Sequence, residues 1–205
     1  MLHMLAYNLR RSRPMQKVLL VLEDIPHDEP LRASLTDLGY EIVGELSDAQ
    51  QLRTEVARAA PDVIIVRADT PGDAMLDSLA SVSAALPRPI VVFAREASRE
   101  TIRRAVECGV AAYVVEGWAR ERITPIIEAA VARFDAFQAV QRELATTRTK
   151  LSERKLIEKA KGIVMEQRRL TENDAYSALR KMAMDQNLAL AEIARRVISV
   201  SSLLA

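Results

Sequence analysis

The side chains best placed to do chemistry are cations in the last third of the chain. Lys155 and Lys159 stand four residues apart, Arg154 and Lys161 seven apart, and Arg180, Lys181, Arg195 and Arg196 follow downstream. On helices such spacings gather positive charge on shared faces. From Thr146 to Ala205 there are 12 Lys and Arg against 7 Asp and Glu, a balance of +5, whereas the preceding residues sum to −4. The net charge of +1 therefore hides an acidic front and a basic back. Cations gathered in this way bind the phosphates of a polyanion, with an affinity that falls as salt rises. Uneven scatter of surface charge is the plain alternative. Tyr176 offers a ring that could stack on an unpaired base, although its spacing with Leu179, Arg180 and Ala183 is more often that of a core position. Arg195 and Arg196 near a helix end also fit simple capping of carbonyls.

Periodicity says what must hold these residues. Ile157, Ala160 and Val164, then Ala175, Leu179 and Met182, each line one face of a short basic helix. Thr171 stands where an N-cap belongs, with Asp174 three residues on, a reduced capping box. A third helix is predicted from Leu190 to Ile198. Upstream, Ile123, Ala130, Phe137, Leu144 and Leu151 recur every seven residues, with Ile127, Phe134, Gln141, Arg148 and Lys155 as the companion row. No Pro or Gly interrupts residues 126–161. This heptad seam predicts a long helix over 123–152 that pairs with a second copy of itself, making a homodimer. A helix folded back onto its own domain is the alternative.

At 205 residues the chain predicts one or two small domains with a real core. Its 49% hydrophobic and 28% charged residues are those of a globular protein, and no apolar run approaches the ~20 residues that span a bilayer. In residues 1–15 the arginines at 10, 11 and 13 follow the apolar residues, the reverse of a signal peptide. A disordered leader is expected there. The single cysteine, Cys108, excludes an intrachain disulfide, fits a reducing cytoplasm, and is expected to be a buried small hydrophobe. His3 and His27 lack ligand partners at metal-binding spacing, so neither metal nor cofactor is expected. Trp118 is expected in packing or an interface. No phosphate-binding glycine loop or nucleophile–histidine pair is present, which argues against an enzyme.

Between Lys17 and Ala130 short β-branched runs alternate with helical patterns. Candidate strands are Val18–Val21, Glu41–Gly44, Val63–Val66, Ile90–Phe93 and Ala112–Val115, nearly all apolar as strands buried on both faces must be. Helical segments Leu31–Leu38 and Ser98–Cys108 end at Gly39 and Gly109. Five βα units of this kind predict an α/β fold with a doubly wound parallel sheet.

Two resemblances add to this reading. The order Ala160-Lys-Gly-Ile-Val-Met165, Leu170-Thr-Glu172, then Ala175-Tyr, Leu179-Arg and Ala183 resembles the ANTAR family, three-helix RNA-binding modules of bacterial transcription antiterminators. The front half, through Pro61-Asp-Val-Ile-Ile-Val66, Pro71-Gly72, Pro89-Ile-Val-Val-Phe93 and Gly109-Val-Ala-Ala-Tyr-Val-Val115, resembles the flavodoxin-like (βα)5 receiver domain of response regulators. That resemblance implies a phosphoaccepting Asp after the third strand, acids holding magnesium after the first, a hydroxyl after the fourth and a Lys after the fifth. Here Arg67, Leu22 followed by Glu23 and Asp24, Ala94, and Glu116 stand at those positions. An arginine cannot form an acyl phosphate, and a glutamate repels one. Asp69 lies in the loop beyond the strand. Arg67 is therefore expected either to pair with Glu23, Asp24 or Glu116 across the strand ends or to point to solvent. The expected organisation is a leader over 1–15, a pseudo-receiver over 16–122, a coiled-coil helix over 123–152 and an ANTAR domain over 153–205.

The whole chain, including Tyr113-Val-Val-Glu-Gly-Trp118 and the closing Ser201-Ser-Leu-Leu204, looks most like the NasT group, antiterminators of nitrate-assimilation operons held inactive by a nitrate/nitrite-sensing partner. The resemblance implies binding of hairpin RNA in leader transcripts, under control of a ligand-sensing partner protein. The rival is a DNA-binding response regulator, since Leu190–Ile198 looks like the first helix of a helix-turn-helix. That motif needs a recognition helix beyond Ile198.

Overall fold

The computed structural model describes residues 16–204 except Asp24, Pro26, His27 and Gly117, and side chains only as far as Ser201. The expected leader, His3, His27 and the acid at Asp24 lie outside the described residues.

Five parallel strands form one sheet in the order β2-β1-β3-β4-β5, with β1 at Lys17–Leu22, β2 at Glu41–Leu46, β3 at Val63–Ala68, β4 at Ile90–Ala94 and β5 at Ala112–Val114. Helices α1 (Glu29–Asp37), α2 (Leu52–Ala59), α3 (Asp73–Ala85) and α4 (Arg99–Glu107) alternate with the strands. This is the flavodoxin-like doubly wound α/β fold that the apolar runs predict. Strands β1 and β4 are almost wholly buried because both faces are covered. Leu19, Val21, Ile64, Val66 and Val92 pack into one layer, and Val18, Leu20, Val63, Ile65 and Phe93 into the other. Side-chain caps start the helices: Asp28 accepts from the Leu31 N–H and Ser98 from the Thr101 N–H. Gly39 and Gly109 follow α1 and α4 with φ of +87° and +91°, where a side chain would be strained. Cys108 packs against the first layer, partly buried, and burial pushes its thiol up from its ordinary value. Trp118 packs against the second.

Helix α5 runs unbroken from Arg120 to Arg168, followed by α6 (Glu172–Asp185) and α7 (Leu190–Leu204). The chain divides into two compact units between Phe137 and Gln138, inside α5. The expected seam divides in the same region. Ile123, Ile127 and Ala130 are 0–1% exposed and belong to the core of the α/β unit, with Phe134 packed against them. Ile123 and Ala130 are thus corrected: they are core residues of the sheet's own covering helix, not a dimer seam. Heptad spacing alone cannot distinguish an apolar stripe that meets its own sheet from one that meets another helix. Phe137, Leu144 and Leu151 are 59%, 41% and 54% exposed, and Val140 joins them at 61%. Val140, three residues after Phe137, completes the stripe better than the companion Gln141.

In the second unit Ala160, Leu179, Ala183, Ile193 and Ala194 form a small core, with Leu156, Ile157 and Val164 of α5 against it. Thr171 caps α6, accepting from the Asp174 N–H at 3.3 Å and bonding the Asp174 carboxylate at 2.7 Å. The expected third helix extends past Ile198 to Leu204.

Candidate nucleic-acid interface and the receiver-like strand edge

Parallel strands end together at one edge of the sheet, and that edge carries the receiver-like positions. Arg67, in β3, pairs in register with Leu22 of β1 and Phe93 of β4. Its side chain is 14% exposed and does not point to solvent. The guanidinium Nε donates to Asp28 Oδ2 at 3.1 Å, and Nη1 donates to the carbonyls of Ala68 and Phe93 at 2.8 and 3.4 Å. The expected ion pair therefore forms with a different acid. Asp28 sits at the start of α1, and its other oxygen accepts the Leu31 N–H at 3.1 Å. One carboxylate thus caps a helix and neutralises Arg67, a charge-assisted arrangement in a site largely shielded from water.

The carboxylate of Glu23, the remaining acid of the expected metal corner, accepts the Gly72 N–H at 3.2 and 3.3 Å, and Glu23 meets Arg67 only through its backbone N–H, which donates to the Arg67 carbonyl at 2.9 Å. Glu116 is exposed, with φ of +67° and no ion pair among the described residues. Ala94 is fully buried and offers no hydroxyl. Asp69 pairs with Arg95 at 3.0 Å in the exposed loop after β3. Arg104 reaches from α4 to both Asp73 and Asp77. The position that the receiver resemblance gives to the acceptor Asp carries Arg67, a cation with internal partners, and an arginine cannot form an acyl phosphate. Sequence reasoning missed Asp28 as the partner. The Asp28-Glu29-Pro30 pattern signals a helix start, but nothing in it signals a contact with a residue 39 positions away.

The C-terminal unit treats its charges differently. On α5, Arg154, Lys155 and Lys159 are exposed and make no ion pair among the described residues, and the same holds for Arg180 and Lys181 on α6. Tyr176 is 44% exposed. It lies one turn before Arg180 and outside the core that its spacing favoured, because Ala175, Leu179 and Ala183 take the buried face of α6. Lys161 departs from the expectation of a free cation. Its side chain is 12% exposed and bonds Glu158 at 2.6 Å and Glu172 at 2.7 Å, tying α5 to the first turn of α6. Its hydrogen bonds to those carboxylates hold the ammonium above its ordinary value, and the bond accepted from Lys161 holds the Glu172 carboxyl below its own. Arg195 and Arg196 both pair with Glu192 on their own helix, and Arg196 also donates to Gln186. The free cations on α5 and α6 can meet phosphates, and an exposed aromatic on the same helix as Arg180 can meet a base.

The ANTAR domain profile matches residues 145–198, most of this unit. The transcriptional regulatory protein PdtaR of Mycobacterium tuberculosis is 31% identical over 183 residues, 89% of each chain. The chain belongs to the ANTAR family of response regulators. A nitrate regulatory protein of Klebsiella oxytoca is 47% identical over 66 residues, 32% of this chain and 17% of that protein. Among solved structures, the signal receiver domain of a modulated diguanylate cyclase from Desulfovibrio desulfuricans superposes with a TM-score of 0.53 at 22% identity. It covers 60% of this chain and 98% of that one, a likeness of fold alone. As a family member the chain is a transcriptional regulator with a receiver-type fold ahead of an ANTAR domain, not an enzyme. Among the described residues no helix is long and apolar enough to cross a membrane.

Proposed function

We propose that this ANTAR regulator is a transcription antitermination factor that binds hairpin RNA in nascent leader transcripts through its C-terminal domain, stabilising a fold that lets polymerase read through. The observation that carries the reading is the set of exposed, unpaired cations Arg154, Lys155, Lys159, Arg180 and Lys181, together with the exposed ring of Tyr176. Phosphates supply affinity and unpaired bases supply specificity when RNA loops are recognised. Two copies pair through Phe137, Val140, Leu144 and Leu151, whose exposure leaves an apolar stripe for a second helix. Control comes from a ligand-sensing partner protein, because Arg67 occupies the acceptor seat. The likeness to the nitrate regulatory protein supports nitrate or nitrite as the signal.

Binding of a labelled pool of hairpin RNAs with randomised loops, compared with duplex DNA of matched length and charge at one ionic strength, tests the reading. Preference for RNA is expected. Replacing Lys155 and Lys159 with Ala should reduce the slope of log affinity against log salt by about two units. Equal affinity for both nucleic acids reduces this face to a general polyanion patch, and preference for DNA transfers the function to duplex recognition.

A further inference from the structure

Two residues of the ANTAR domain stand where the opposite residue would make the fold more stable. Gly162 lies in the interior of α5, where glycine is the poorest choice after proline because it leaves the backbone freest in the unfolded chain. Nothing in the fold calls for it. Gly162 is exposed, and a Cβ built there meets no atom within 4 Å. Seven residues on, just past the last residue of α5, Arg169 adopts φ of +51°. Glycine or asparagine normally takes that left-handed position, because a Cβ there presses on the backbone. Alanine at 162 and glycine at 169 would satisfy both local preferences. The chain has each the other way round.

Departures from local preference that the fold does not explain collect where a ligand must be met. Gly162 is turned away from the module's core, since buried Ala160 lies about 200° round the helix from it. It falls instead in a row with a seven-residue step, Arg148, Lys155 and Gly162, about 10 Å apart along α5, with Arg169 seven residues further on, just past the end of the helix. All four are exposed, and none of the three cations has an ion pair among the described residues. A ridge of cations with a gap at its glycine lets a phosphodiester chain lie against the helix backbone, with charge on either side of the contact. A second protein copy fits this ridge poorly, because equivalent rows would face cation to cation.

We propose that Gly162 and Arg169 are RNA-positioning residues, Gly162 by admitting the RNA backbone to the surface of α5 and Arg169 by neutralising a phosphate at the end of the helix. The proposal rests on the RNA-binding reading and adds the face on which the RNA lies.

The test uses the full chain, the same pool of hairpin RNAs with randomised loops, and three variants: Gly162→Ala, Gly162→Leu and Arg169→Gly. Melting temperatures are expected to rise by about 2–4 °C for Gly162→Ala and Arg169→Gly, as the local preferences are restored. RNA affinity is expected to fall in every variant. The two Gly162 changes should weaken binding in order of side-chain size with an unchanged salt slope, and Arg169→Gly should lower the slope by about one unit and the affinity by about fivefold at physiological salt. A stabilised Gly162→Ala protein that binds RNA as tightly as the parent overturns the inference and leaves the RNA-binding reading intact. A parent protein with no preference for RNA overturns that reading, and this inference with it. Sedimentation of the same variants adds a further arm, because altered self-association with unaltered RNA affinity would assign Gly162 to contact between copies and overturn the proposal.

Discussion

At the strand ends of the α/β unit almost every charge meets an internal partner: Arg67 meets Asp28, Glu23 meets the Gly72 N–H, Arg95 meets Asp69, and Arg104 meets two aspartates. In the ANTAR unit Arg154, Lys155, Lys159, Arg180 and Lys181 meet none among the described residues. The apolar residues of α5 follow the same division, with Ile123, Ile127 and Ala130 sealed into a core and Phe137, Val140, Leu144 and Leu151 left open. A side chain satisfied inside the chain contributes to stability, whereas one left open at a cost in solvation or entropy is available to a partner. The first unit satisfies the charges of its strand edge internally, and the second leaves these five cations open.

The largest effect should come from the open apolar stripe. Changing Phe137 and Leu144 to Glu puts charge into the proposed seam at several kcal/mol per buried charge. Sedimentation should then show a monomer where the parent is a dimer, while the melting temperature of the α/β unit holds. An unchanged mass would show that the stripe has another use. Next in size, Asp28→Ala should destabilise the α/β unit by about 2–4 kcal/mol, because it strands a largely buried guanidinium and removes the cap of α1. Denaturant unfolding measures this, and Lys155→Ala provides the contrast, with a shift expected within about 0.5 kcal/mol. Equal effects at both positions would erase the distinction between satisfied and open charges.

The smallest effect concerns Lys161, the cation that leaves the open set. Its bond holds the Glu172 carboxyl below its ordinary value, so the stabilisation is fully present above the unfolded carboxyl value of about 4.3 and is lost as pH falls through the lower folded value. The raised Lys161 ammonium loses its share only as pH rises past its own folded value. Melting curves of the parent and Lys161→Met should differ slightly at pH 7 and converge in acid. A gap that persists undiminished at pH 3 would mean that Lys161 acts through its alkyl stem and not its charge.

The fold was readable from the chain because its signals are local. Apolar runs, helix-stopping glycines and capped turns each act within a few residues, so all five strands, the stops at Gly39 and Gly109 and the cap at Thr171 could be anticipated from the letters alone. The absence of an acceptor Asp at position 67 is likewise a fact of composition, and no packing can supply the missing carboxylate. What Arg67 does with its charge depended on Asp28, 39 residues away, brought beneath it only by the placing of α1 against β3. The seam was ambiguous for the same reason: one heptad row runs from Ile123 to Leu151, and only the arrival of the sheet against its first turns decided which residues are core. Among the cations the chain showed where charge collects but not which charges are free, since Lys161 and Lys159 differ by two letters and by whether Glu172 lies within reach across the turn. Sequence determined the elements and the chemistry that is impossible. Tertiary structure decided which charges are satisfied, because that depends on distances between residues far apart in the chain.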